Sequence, residues 1–382
     1  MTVVGAARCG SYDRDAVIAA VAKATAAAGG LPQLTGKRVL IKPTLLSDTR
    51  PETAATTHPE IVYAVCRMVQ DAGGIPLIAD SPGAGHMYTP RTLRRIYDRS
   101  GMTRVAEETG AELSFDTGFS EVSFPDGVVM KRFTLINPVR DADVIISVCK
   151  LKTHMFTKFS GGVKNTFGVI PVLDKPVFHS RFPAQEDFSE MLVDLNELAG
   201  VEFVVMDAVF GMEGNGPMGG DPKFCGYVLA SRSVYALDVS AQRLIGMDPD
   251  HIGTTASATR RGLLDTVEET GDVIVPVGDF ALPPTYAGPQ KNTRLRNVIL
   301  TRMQKAGRLY APAPHTVPGW CIGCGQCVRI CPENAVVLRN GKAVFDLSRC
   351  IRCYCCHEMC QVRAIDLKRG TGGRVLHAFC NR

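Results

Sequence analysis

"CIGCGQCVRICP", residues 321–332, spaces its cysteines as C-x2-C-x2-C-x3-C-P, and "CIRCYCCHEMC", residues 350–360, repeats that spacing through Cys350, Cys353, Cys356 and Cys360. Three thiolates on a tight turn can reach three irons of one cubane, and the fourth ligand comes from the other run. The spacing therefore assigns Cys321, Cys324, Cys327 and Cys360 to one 4Fe–4S cluster, and Cys350, Cys353, Cys356 and Cys331 to a second. Structural zinc favours paired C-x2-C motifs over doubled four-cysteine runs. Gln361 stands where the first run has Pro332, a change that removes no ligand. Cys355 is a fifth cysteine in the second run. Its neighbour Cys356 keeps the register, which leaves Cys355 as a packing or cluster-tuning residue.

A second concentration of chemistry lies in "KLKTHMFTKFSGGVKNTFG", residues 150–168, with four lysines, one histidine and three glycines. It follows the apolar run "DVIIS". In open parallel sheets ligands bind beyond the carboxyl ends of the strands. Other polar residues also follow apolar runs: Lys42 after "VLI", Asp80 after "IPLIA", and Asp207, Glu213 and Asn215 after "FVVM". A lysine in such a place is usually a solvated loop residue, and one histidine is most often structural. Four strand ends with the same chemistry predict a shared anion pocket. Lys152, His154 and Lys164 are expected to act on the substrate, with Lys42, Asp80, Lys150, Asn165, Glu213 and Asn215 binding it. Gly161 and Gly162 would let backbone N–H groups approach an anion. Lys158, flanked by apolar residues, is the expected bystander. No P-loop and no G-x-G-x-x-G after a strand occurs. A separate metal site from Cys149, His154 and His179 is a further alternative.

The elements that must position these residues alternate. "DAVIAAVAKATAAAGG" and "HPEIVYAVCRMVQDAGG" read as amphipathic helices closed by Gly-Gly C-caps. The second has Thr57 and Glu60 at capping-box spacing and Pro59 in its first turn. The runs "RVLI", "IPLIA", "DVIIS", "EFVVM", "YVLA" and "DVIVPV" read as strands. Alternation of this kind predicts an α/β fold, a mostly parallel sheet with flanking helices, plus a small α+β dicluster ferredoxin-like domain. The expected domains are 1–285, a basic helix and Pro-rich linker over 286–318, the cluster domain over 319–369, and a tail over 370–382. The net charge of +5 is mild and gives nucleic-acid binding no general support. Of 14 cysteines, ten crowd into the last 62 residues; with no export signal they read as metal ligands rather than disulfides. No apolar run approaches ~18 residues, so the expected location is cytoplasmic.

"VLIKPTLLS…TTHPE", "DADVIISVCKLKTH", "GGVKNTFGVIP" and "MDAVFGMEGNGPMGGDP" resemble the domain-of-unknown-function family 362, whose members often carry a C-terminal dicluster ferredoxin domain. The resemblance spans roughly residues 36–369 and implies an iron–sulfur protein. The family commonly has Lys-Pro-Asn where this chain has Lys42, Pro43 and Thr44. The expected activity is that of an iron–sulfur oxidoreductase: a ferredoxin-dependent reductase that passes single electrons through two 4Fe–4S clusters to an anionic or conjugated substrate. His154 or a lysine of lowered pKa would supply the proton. The alternative is a non-enzymatic electron-transfer subunit whose α/β domain grips a partner protein. The six Lys and Arg of "QKNTRLRNVILTRMQKAGRLYAPAPHTVPG", with no acid among them, point to an acidic ferredoxin or flavodoxin as electron donor. A homodimer stays open.

Overall fold

The computed structural model describes residues 1–83, 85–286 and 312–368. The basic segment before Pro312 and the tail after Lys368 lie outside the described residues. Strands β1 (Thr2–Arg8), β2 (Arg38–Pro43), β3 (Ile75–Ile78) and β4 (Glu112–Leu113) come first in the chain. A side hairpin of β5 (Phe119–Ser123) and β6 (Arg132–Ile136) precedes β7 (Val144–His154), β8 (Lys158–Ser160), β9 (Phe203–Glu213), β10 (Asp221–Ser231) and β11 (Val267–Gly271). One nine-stranded sheet runs β11-β1-β10-β9-β7-β2-β3-β4, with β8 folded back onto β7. The pairs β9–β7, β7–β2, β2–β3, β3–β4 and β1–β11 are parallel, while β10 is antiparallel to both its neighbours.

Alternation along the strands builds two apolar layers. Val144, Ile146 and Val148 face one layer, with Val39, Ile41, Phe203 and Val205. The helices Arg14–Ala27, Pro59–Asp71 and Pro90–Ser100 close that layer through Val17, Val21, Ile61, Val65, Ile96 and Tyr97. Ile145, Cys149 and Leu151 face the other, with Leu40, Val204 and Met206, under the helices Gln185–Ala199 and Val234–Leu244. Successive side chains of a strand point to opposite faces, so every strand end offers polar residues to both layers.

The helix ends follow local chemistry. Asp13 and Ser233 accept the N-cap bonds of their helices from Ala16 and Ala236. Gly29 and Gly73 take left-handed φ of 86° and 77° just past the first and second helices, as the Gly-Gly signals predict. The capping box expected at Thr57 and Glu60 does not form. Thr57 Oγ1 donates to Val148 O at 2.7 Å, and His58 caps the helix instead, its Nδ1 accepting from Glu60 N. Glu60 is drawn into ion pairs with Arg14 and Arg104. "DVIVPV" is not a strand either: Pro276 lacks an N–H for a ladder, and Val273 and Val275 are exposed. The edge strand is the preceding Val267–Gly271.

The cluster domain pairs β12 (Ala313–Thr316) with β15 (Ile365–Lys368) and β13 (Val336–Arg339) with β14 (Lys342–Phe345). Its two halves repeat: Ala335 N donates to Cys331 Sγ and Ala364 N to Cys360 Sγ, both at 3.1 Å. Left-handed positions Gly323 and Gly325 correspond to Arg352 and Tyr354 in the second half. Polar contacts fasten this domain to the α/β domain. Arg363 binds Asp221 and Gly220 O, Gln361 binds Asp48, Gln326 binds Gly85 O, and Ser180 binds Glu333.

Candidate active site between the sheet edge and the cluster domain

A cavity of about 80 Å³ lies where the carboxyl ends of β2, β3 and β7 meet the cluster domain. Lys42, Asp80, Lys152, His154, Lys164 and Asn165 line it, together with Lys175 and His179 from the helix Asp174–Arg181. Ile330, Cys355, Glu358 and Met359 close it from the cluster domain. Six of the nine residues expected to handle substrate are thus brought together. Lys150, Glu213 and Asn215 are not.

Lys150 falls in step with Ile146 and Val148 and turns to the layer of the Arg14–Ala27 helix, where Asp207 meets it. Lys152 has the same parity, but the register of β7 against β9 shifts between the two, and Lys152 lines the cavity instead. Its Nζ lies 2.8 Å from Asp207 Oδ2 and 2.8 Å from the Tyr12 hydroxyl, which itself donates to Asp207 Oδ1. Tyr12 stacks on His58 at 3.6 Å. With Lys150 at 1% exposure and Asp207 at 0%, this is a closed structural pair rather than a substrate contact. Removing one partner of a buried pair costs about 3–5 kcal/mol. Asp207→Ala is therefore expected to lower the thermal unfolding temperature sharply while leaving iron content unchanged. An unaltered melting temperature would contradict the structural role.

Glu213 turns to the loop at Ala281, whose N–H it accepts at 2.8 Å. Asn215 is half-buried on the loop between β9 and β10, and Pro217 of that loop reaches the cavity. The glycine-rich backbone is committed elsewhere as well. Gly162 N and Val163 N donate to the two oxygens of buried Asp238, not to a ligand. Gly168 has a tighter requirement: a Cβ there would lie 2.1 Å from Asp80 Oδ1 and 2.5 Å from Lys42 Nζ.

A lysine ammonium has three donors and no acceptor, and counting them separates the four cavity lysines. Lys42 donates to Pro43 O and Asn165 Oδ1 at 2.8 and 3.0 Å and is ion-paired with Asp80 Oδ1 at 2.7 Å, which leaves its ammonium committed on three sides. Lys175 uses three, on Ser81 O, Ser81 Oγ and Pro82 O. Lys152 uses one, on Ala55 O at 2.8 Å. Lys164, half-buried, has no hydrogen bond or ion pair among the described residues; its ammonium lies 4.4 Å from the centre of the Phe167 ring. Lys152 and Lys164 are therefore the cations with donors to offer a ligand. Asn165 is fully committed, accepting from Lys42 and Thr44 and donating to Lys42 O and Ser147 Oγ. It positions Lys42. Thr44 lines the cavity with its hydroxyl on Asn165 Oδ1.

Burial lowers every one of these ammonium groups. Lys152 and Lys175 are held at about 7, both chiefly by desolvation, with neighbouring lysines adding to it. Lys42 and Lys164 are lowered by desolvation too, against the pull of Asp80 and Glu358 respectively. His154 is pushed well below the usual imidazole range by burial and then by Lys164. Its Nδ1 accepts the N–H groups of Phe156 and Thr157, so the neutral ring carries its proton on Nε2, 3.2 Å from Glu358 Oε1. His154 is thus a neutral ring facing Glu358, and Lys152, Lys175 and Glu358 are the cavity groups held near neutrality.

Sequence reasoning missed Glu358, and it placed Lys175 nowhere. Glu358 sits inside the second cysteine run, and burial raises its carboxyl to about 7. Its Oε1, 3.2 Å from His154 Nε2, and the Nδ1 of His179 are buried and make no well-formed hydrogen bond among the described residues. Buried polar atoms left open mark a place for water or a polar ligand. The i, i+4 spacing of Lys175 and His179, which sets both on one helix face, was a legible signal. Nothing in "CHEMC" marks Glu358. Cys149 packs in the core and does not line the cavity, so the alternative site of Cys149, His154 and His179 is not assembled.

The thiol of Cys327 is raised by burial and then by Cys324, Cys360 and Cys321, and that of Cys331 by burial and, more weakly, by Cys353 and Cys350. A second cavity is lined by Cys331, Cys350, Cys353 and Cys356, with Cys355 shared between it and the lysine cavity. Four thiols around one enclosed apolar space, with the Ala335 N–H donating to Cys331, form a donor set that fits a 4Fe–4S cluster.

Comparison with known proteins agrees with this architecture. Residues 320–364 match the 4Fe-4S dicluster domain. The chain is 31% identical over 311 residues to a thylakoid-associated protein of Synechocystis sp., covering 76% of this chain and 94% of that protein. It is 31% identical over 91 residues to an uncharacterized ferredoxin of Methanocaldococcus jannaschii, covering 23% of this chain and 58% of the other. The lactate racemase apoprotein of Thermoanaerobacterium thermosaccharolyticum superposes with a TM-score of 0.38 at 17% identity, over 61% of this chain and 54% of that one. No helix among the described residues is long and apolar enough to cross a membrane. Residues 39–243, over half of the chain, match the domain of unknown function DUF362, and the chain belongs to that family, with a 4Fe–4S dicluster domain at its C-terminal end.

Proposed function

We propose that the protein is a ferredoxin-dependent iron–sulfur reductase acting on a small anionic, conjugated substrate in the lysine cavity. The observation that carries this reading is the shared wall. Cys355 borders both the lysine cavity and the space enclosed by Cys331, Cys350, Cys353 and Cys356. Clusters held by the eight cysteines would supply single low-potential electrons. Lys152 and Lys164 would bind the anion and stabilise the negative charge that grows on it, the kind of preorganised interaction that dominates many active sites. Lys152, held near 7, would return a proton to the reduced product. Lys42 and Lys175 brace the walls. On a scale where one water takes roughly 10–15 Å³, the cavity admits a ligand of few heavy atoms, and a nucleotide is excluded.

Acrylate is a suitable probe, being a small conjugated carboxylate. Anaerobically reduced holoprotein is expected to be reoxidised by it in single turnover, followed by recovery of the visible cluster absorbance. Binding also has a defined pH dependence. Lys152 loses its charge as pH rises through about 7, and Lys175 does the same. Lys42, Lys164, Glu358, His154 and His179 face them across the cavity. Each lysine deprotonation removes attraction, and ionisation of Glu358, also held at about 7, adds repulsion over the same range, so the acrylate dissociation constant should rise by up to about tenfold per pH unit above 7 for each group that titrates. The dependence should become shallower in Lys152→Met. Neither binding nor reoxidation by any small anion would overturn the reductase reading and favour a subunit that serves a partner protein.

A further inference from the structure

Among the eight cysteines proposed to hold clusters, Cys324 is the exposed one; the other seven are half-buried or buried. What surrounds it is neither acidic nor plainly hydrophilic. Trp320, the chain's one tryptophan, is 57% exposed, and Ile322 is 69% exposed, on either side of Cys321. Leu338 is exposed nearby; it and Arg329 both border Gly325. Arg329 Nη1 donates to Cys324 O at 3.2 Å, and Lys342 Nζ donates to Cys321 O. Arg339 is the strand partner of Lys342. All three cations are exposed. Two of them are fixed by the backbone carbonyls of the cysteine loop itself.

We infer that this face, formed by Trp320, Ile322, Arg329, Leu338, Arg339 and Lys342, is the docking surface for a small acidic one-electron carrier protein. The inference rests on the reading of the protein as one that receives electrons singly. Complementary charge selects an acidic carrier and raises its encounter rate, and an apolar centre excludes water once the two meet. Weak redox encounters use small interfaces. Each encounter moves one electron: the carrier is oxidised by one and the protein reduced by one. Two encounters and two protons from solvent would account for one two-electron reduction of substrate.

The test uses full-length holoprotein and a purified low-potential acidic ferredoxin, reduced and mixed with it in a stopped-flow cell without substrate. The Debye length is about 30 Å at 0.01 M salt and about 8 Å at 0.15 M. The second-order rate constant should therefore fall steeply between those concentrations. Arg339→Glu combined with Lys342→Glu should lower it at least about tenfold at low salt, within the range that steering provides. Reduction by dithionite and iron content should stay at the parent level. Because Lys342 also braces the cysteine loop, Arg339→Glu alone is the control, and it should retain part of the loss. Trp320→Ala should slow transfer without changing the salt slope. Salt-independent transfer, or parent rates in both the charge variants and Trp320→Ala, would overturn the proposal. So would patch variants that only convert a dimer to a monomer, since the face would then join two copies of this chain. Acrylate binding, measured in the same variants, should be unaffected, which separates failure of this face from failure of the substrate reading.

Discussion

Lys164→Met, and separately Lys152→Met, is expected to lower acrylate-dependent reoxidation of the reduced protein by roughly 10²- to 10³-fold, the effect of losing one preorganised donor worth about 2.7–4 kcal/mol. Both clusters should still assemble and accept electrons from dithionite. The expectation follows from the donor count. Lys152 has one committed bond and Lys164 none among the described residues, so their N–H groups are the ones a ligand can recruit. Lys175→Met makes the contrasting case. Its three donors hold Ser81 and Pro82, so that variant should lose stability before it loses turnover per folded molecule. Anaerobic single-turnover absorbance, with melting temperature measured alongside, distinguishes the two. Equal losses at Lys152, Lys164 and Lys175 would show that total charge, not donor geometry, sets the activity.

Cys356→Ser is expected to take iron from about eight atoms per chain towards four, or to leave a damaged second cluster. Cys355→Ser should keep the full complement. The structure gives this contrast a physical basis. Cys356 lines the small cavity with Cys331, Cys350 and Cys353. Cys355 borders that cavity and the lysine cavity as well. Iron and sulfide analysis of anaerobically purified protein decides it. Loss of iron in Cys355→Ser with retention in Cys356→Ser would shift the register by one residue. A total near four in the unaltered protein would remove one cluster altogether.

These two results bear on different kinds of information in the chain. The cluster ligands were legible because the motif is local: spacing along a tight turn fixes which thiols meet, and the repeat supplies the fourth ligand. The parallel sheet was legible too, since buried strands and amphipathic helices carry their own periodicities. Local signals were less secure where a tertiary partner competed. Thr57 gave up its capping role to the carbonyl of Val148, and the valines of "DVIVPV" stayed outside the ladder.

By itself, the sequence determined the α/β class, the cluster-binding cysteines as a chemical set, and the sheet edge where ionisable residues gather. Only the tertiary structure decided which of those residues face one another. Lys150 and Lys152 are two positions apart, yet one is paired with Asp207 under a helix layer and the other lines the cavity. Lys42 and Lys164 both reach that cavity, and only a count of their partners shows the first to be committed and the second not. Glu358 enters from a different domain, through packing of the cysteine run against the ends of the strands. Spacing along a chain specifies contacts within a turn or an element. The burial that moves an ammonium towards neutrality, and the partners that occupy its donors, depend on surfaces brought together from residues more than a hundred positions apart.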